Sequence, residues 1–92
     1  MTPPETTENR LKRLKMRSWR RGTKEMDLLL GPFADHELSG LGAVELDLFD
    51  ALLSENDQDL YPWITGASLP PARFGPLLDR IGAFARIGPR RP

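Results

Sequence analysis

Along this chain the apolar residues recur every three or four positions, not every second one, and that spacing predicts helices throughout. A first helix runs from Thr7 or Glu8 to Arg21, with Leu11, Leu14 and Ser18 on one narrow face and Met16 and Trp19 widening it sideways. Glu5 and Glu8 stand near its positive end and Arg20 and Arg21 at its negative end, as the helix dipole favours. Gly22 reads as the left-handed residue that ends this helix, and Thr23 as the hydroxyl cap of the next. The second helix turns Met26, Leu29, Leu30 and Phe33 inward; Gly31-Pro32 is expected to kink or shorten it. After the connector Ser39-Gly40-Leu41-Gly42, a third helix spans about Ala43 to Ser54, with Val44, Leu48, Phe49, Leu52 and Leu53 at core spacing and Glu45, Asp47 and Asp50 mostly outward.

Asn56 or Asp57 caps a short fourth helix through Ile64 that Thr65-Gly66 ends, and Pro62 is tolerable there only in the first turn. A last helix, about Ala72 to Arg86, carries Phe74, Leu77, Leu78, Ile81 and Phe84 as its stripe, with Pro76 near its start expected to bend it. The result is an all-α fold, a small compact bundle of about five helices. The expected organisation is a disordered N-terminus over residues 1–7, a single helical domain over 8–87 and a flexible tail over 88–92.

Size and composition narrow the chemistry. A 92-residue domain buries only about 60 to 65% of its extended-chain surface, so a partner can add burial that the fold lacks. With no cysteine, thiolate metal sites and disulfides are excluded, and a reducing compartment is expected. The single histidine, His36, leaves no nitrogen-rich metal site, and any Ser-His-Asp triad would have to use it; it is assigned no catalytic role. No run approaches the roughly 18 apolar residues of a membrane helix, and the start lacks the layout of a secretory signal, so the expectation is a cytoplasmic, non-enzymatic protein without membrane insertion.

The zero net charge hides a dipole. Eight of the thirteen Lys and Arg lie between Arg10 and Lys24, while residues 25–72 hold none of them and ten of the thirteen acids. Arg10, Arg13, Arg17, Arg20 and Arg21 form a strip of helical neighbours that is expected to face solvent or a partner. Such a strip suits a small nucleic-acid-binding module that tracks phosphates, yet the neutral total and the acids just beyond the strip argue against it.

Where basic turns to acidic stands Arg21-Gly22-Thr23-Lys24-Glu25-Met26-Asp27-Leu28-Leu29-Leu30. A glycine there permits both a left-handed turn and close approach of another backbone, and Glu25 either pairs with Arg21, complements the dipole of the second helix, or presents a carboxylate to a partner. Together with Phe33, the His36-Glu37 pair and the later Asp57-x-Asp59-Leu60-Tyr61-x-Trp63 element, this segment resembles the succinate dehydrogenase assembly factor 2 family, also called SdhE. The likeness covers roughly residues 10–86; Gln58, where family members often carry proline, and Gly42, where a better cap is common, depart from it.

The resemblance implies a five-helix protein that binds the flavoprotein subunit of succinate dehydrogenase, and of the related fumarate reductase, and promotes covalent attachment of FAD to a histidine of that subunit. It implies that Arg21, Gly22 and Glu25 carry the client-binding and flavinylation role. The chain has no Gly-x-Gly-x-x-Gly fingerprint after a strand, so FAD belongs to the client and no cofactor of its own is expected. Arg17, Arg20 and Tyr61 are further interface candidates, since arginine and aromatic residues dominate binding hot spots, whereas Trp63 is assigned to the core.

Overall fold

Each helix begins where a side chain or turn can satisfy its first amides. In the computed structural model, which describes residues 5–87, the Thr6 hydroxyl accepts a hydrogen bond from the Asn9 amide at 3.1 Å and opens α1, Thr7–Ser18. The Thr23 hydroxyl accepts from the Met26 amide at 3.3 Å and opens α2, Lys24–Glu37, as its sequence predicts. A 3-10 turn, Leu38–Gly40, leads to α3, Ala43–Leu53, where the Glu45 carboxylate accepts from the Gly42 amide. Then come α4, Asp57–Thr65, closed by Gly66 at φ +87°, and a 3-10 turn, Ala72–Phe74, that runs into α5, Gly75–Ile87.

Among the described residues the fold is an all-α bundle of five helices. Helices α2 and α5 form its middle: α1 lies against α2, α4 against α5, and α3 bridges α1 and α5. Phe33 is fully buried at the centre, its ring 5.9 Å from those of Phe49 and Phe84, and Trp63 is half-buried beside Phe74. Glu5 pairs with Arg13, and Thr6 and Thr7 cap and begin α1, although all three were expected in the disordered start. Residues 1–4 of that segment and the expected flexible tail, residues 88–92, lie outside the described residues.

Several expectations are corrected. Helix α1 stops at Ser18, three residues short of Arg21. Gly31-Pro32 does not break α2, which continues to Glu37. Proline there forfeits one bond, to the carbonyl of Leu28, and Leu28 stands on the exposed side. Gly31 has a packing reason instead: a Cβ on it would overlap the Trp19 indole, which lies flat against the backbone and donates its N–H to Asp35 at 3.1 Å. Pro62 is the sixth residue of α4, beyond the first turn, and the bond it forfeits is to exposed Gln58. Pro76, second in α5, removes an amide that has no helical partner at that position. On α3 the inward stripe is Leu46, Phe49, Leu52 and Leu53, while Val44 is exposed.

Three arginines of the basic strip turn towards another helix, while Arg20 is exposed. Arg10 pairs with Asp47, Arg13 with Asp50 at 2.9 Å and Arg17 with Asp50 at 2.8 Å, so the acids of α3 neutralise the arginines of α1. On the opposite flank Arg80 of α5 joins Glu45 and Glu37. The hydrogen bond from Arg13 outweighs burial and holds the Asp50 carboxyl below its ordinary value, and the same guanidinium lowers Glu5.

Replacing Gly31 with alanine is expected to cost about 1–3 kcal/mol through overpacking against Trp19. In a Trp19→Ala background the same change gains up to about 1 kcal/mol of helix propensity, a reversal that a double-mutant cycle by urea unfolding reads directly. Because the folded Asp50 pKa lies below the unfolded value near 3.8, its stabilisation is complete above that value and disappears as pH falls through the lower folded one. Asp50→Asn should therefore flatten the decline of stability between about pH 5 and pH 2 in urea titrations at stepped pH.

Candidate functional site: the corner between the first two helices

Between Ser18 and Lys24 the chain turns back on itself, and the turn is held from inside by Arg21. Its guanidinium donates to the carbonyl of Leu53, to the carbonyl of Glu55 at 2.7 Å and to Asp57 Oδ1 at 2.9 Å from Nε, and its side chain is only 10% exposed. Leu53 ends α3 and Asp57 begins α4, so one cation meets orphan carbonyls at a negative helix end, and its counter-ion sits at a positive one. The Arg21 backbone N–H donates to Asp27 at 2.7 Å, which ties the same residue to the first turn of α2.

Gly22 follows at φ +105°, a conformation in which L side chains are strained, and no heavy atom lies within 4 Å of where its Cβ would stand. Glycine is thus required here by backbone geometry, and the space beside it is open. It does not end α1 directly, since Trp19, Arg20 and Arg21 intervene; it delivers the chain to the Thr23 cap.

Thr23, Glu25 and Tyr61 share the outer face of this corner, and exposed Gly22 directly precedes Thr23 in the turn. Glu25 is exposed and makes no ion pair or hydrogen bond among the described residues, so the pairing with Arg21 does not form. Between α2 and α4 lies an open groove of about 360 Å³, lined by Thr23, Glu25, Met26, Asp57, Gln58 and Tyr61. Beside it a second recess of about 540 Å³ is bounded by Arg21, Thr23, Glu55, Asn56, Asp57 and Gln58.

The sequence candidates therefore divide. Glu25 and half-exposed Tyr61 line one groove, Gly22 and Arg20 are exposed in the turn that leads to it, Arg21 is folded inward, and Arg17 is drawn away to Asp50 on α3. His36 is exposed and rests against Phe84, ring centroids 5.7 Å apart. Gln58 and Thr23 as groove residues, and the Trp19–Gly31–Asp35 contact behind the corner, were not singled out from sequence. A glycine inside an otherwise apolar helical run was the available signal for the latter. Among the described residues, no three His, Asp or Glu side chains gather as a metal site would need.

The chain is thus a small all-helical domain whose distinguishing surface is an internally braced, outwardly open helix–helix corner. More particularly, the chain belongs to the family described as flavinator of succinate dehydrogenase, whose sequence model matches residues 12–85. It is similar to the protein named succinate dehydrogenase assembly factor 2, mitochondrial, of Mycosarcoma maydis, with 42% identity over 78 residues, 85% of this chain and 33% of that one. The proteins of the same name from Cryptococcus neoformans var. neoformans and Debaryomyces hansenii share 40% identity over 76 residues and 51% over 53. These matches cover 80% and 58% of this chain, and the chain spans 43% and 37% of the two relatives, less than half of each. Among the described residues, no helix is long and apolar enough to cross a membrane.

Arg21→Ala leaves Asp57 and two carbonyls without their cation, and should lower stability by on the order of 3 kcal/mol in urea unfolding. Glu25→Gln, touching nothing inside the chain, should stay within about 0.5 kcal/mol of wild type in the same assay.

Proposed function

We propose that this chain is an assembly factor that binds the flavoprotein subunit of succinate dehydrogenase and promotes covalent attachment of FAD to a histidine of that subunit. The related fumarate reductase flavoprotein is a second proposed client. The observation that carries this reading is the corner itself: Arg21 holds it from within, while Gly22 and Glu25 are left bare on the outside.

The chain assists the chemistry and supplies no catalytic group. It carries no Gly-x-Gly-x-x-Gly fingerprint for a dinucleotide, so flavin and accepting histidine are assigned to the client. Docking of the corner favours a client conformation in which histidine and flavin are close and aligned, and proximity of that kind can lower a barrier by several kcal/mol. Gly22 supports intimate contact, because any side chain there would project into the open space that a partner's backbone would take.

A nucleic-acid role receives less support. Arg10, Arg13 and Arg17, the core of the basic strip, are already matched by Glu5, Asp47 and Asp50 and offer phosphates little unbalanced charge. Cytoplasmic location remains a proposal: absence of cysteine suits any reducing compartment, and the relatives carry the word mitochondrial in their names, so fractionation of cells bearing the tagged chain decides it.

The test is covalent flavin on the client, read by fluorescence of the denatured flavoprotein subunit co-expressed with the chain in cells lacking their own factor. Asparagine tolerates positive φ better than other side chains, so Gly22→Asn should keep the helical circular dichroism of wild type yet reduce flavin loading at least about tenfold. Full loading by that variant would remove the corner from the docking surface.

A further inference from the structure

The groove beside Glu25 has a chemistry of its own, and it specifies what enters. Its floor is Met26, 1% exposed, and Tyr61, 46% exposed, presents its ring from α4. At the rim stands the Glu25 carboxylate, without a partner among the described residues. Asp57 is opposite; Arg21 takes only its Oδ1, and Oδ2 receives no hydrogen bond among the described residues. An apolar floor, an aromatic wall and a rim of carboxylate oxygens together match one side chain: a long aliphatic stem ending in a planar cation.

We infer that this groove receives a single arginine of the partner protein, its stem over Met26, its guanidinium against the Tyr61 ring and its N–H groups on Glu25. The inference rests on the docking reading above and adds the chemical identity of the contact. Arginine fits better than lysine because a planar guanidinium lies on an aromatic face and meets a carboxylate edge-on at once, while an ammonium is a compact, strongly hydrated charge. The chain already makes each half of this contact internally: Arg73 lies 4.5 Å over the Phe74 ring, and Arg21 grips Asp57.

The opposing charges are countable. The starts of α2 and α4 each carry roughly half a positive charge, and Lys24 adds one beside Glu25. Asp57 is already balanced by Arg21, and against the rest stand Glu25, Asp27 and Asp59 in those same first turns, about three negative charges to about two positive. An anion, the usual guest of a helix start, would meet these carboxylates at the rim and be repelled.

The experiment measures the dissociation constant of the full chain for the isolated flavoprotein subunit. Glu25→Gln and Tyr61→Leu should each weaken binding at least tenfold, Tyr61→Phe should keep it within about twofold because the ring remains, and the double variant Glu25→Gln/Tyr61→Leu should lose less than the sum, since both side chains hold one guest. A photo-crosslinking amino acid at position 61 should attach to the client at or beside an arginine. If Glu25→Gln and Tyr61→Leu both bind within twofold of wild type while Gly22→Asn does not bind, the groove is empty in the complex and the inference is overturned, with the docking reading intact. A crosslink into an acidic or wholly apolar client segment overturns it equally. If the wild-type chain fails to bind the subunit, the docking reading falls, and the arginine site falls with it.

Discussion

One guanidinium joins the two halves of this molecule. Arg21 leaves the α1–α2 corner and closes on the end of α3 and the start of α4, contributing donors to two carbonyls and a carboxylate while its own amide is tied to Asp27. The position of the open corner relative to the groove follows from it. The apolar core centred on Phe33 supplies most of the burial, but a hydrophobic cluster is tolerant of small shifts and does not alone define where a loop stands. Directional hydrogen bonds to a nearly buried cation do.

The other arginines of α1 work differently. Arg10, Arg13 and Arg17 meet acids at a partly exposed seam, where ion pairs are each worth at most about 1 kcal/mol. Their effect is on which face of α1 meets α3 more than on the depth of the energy well: a helix rotated about its axis would bring these cations to the apolar interior. Once paired, they also reduce the positive field that the composition of residues 10–24 suggests.

Much of the architecture was legible because helical periodicity and capping chemistry act locally. Thr23 caps α2 as its hydroxyl predicts, Gly66 ends α4 in the left-handed conformation, and the stripe Phe74, Leu77, Leu78, Ile81 lies buried. Failures came where tertiary contact overrode a local rule. Gly31-Pro32 looks like a break, yet Trp19 packs into the space that glycine leaves, and the proline costs one exposed hydrogen bond. Val44 fits a helical stripe on spacing alone, but α3 is rotated so that Leu46 turns inward while Asp47 and Asp50 meet α1. The corner was legible as a location; that Arg21 points in while Glu25 points out was not, because it depends on carbonyls more than thirty residues away.

That last contact also bears on which substitutions the molecule can absorb. Two of the three groups that Arg21 holds are main-chain oxygens, of Leu53 and Glu55, and every amino acid carries that oxygen. The grip therefore senses the path of the backbone and is blind to the side chain at position 55. Exchanges there leave the anchorage whole, so the α3–α4 connection can drift in sequence and charge while the surface beside it keeps its shape, an asymmetry in which one side of a contact is chemically committed and the other is free to vary.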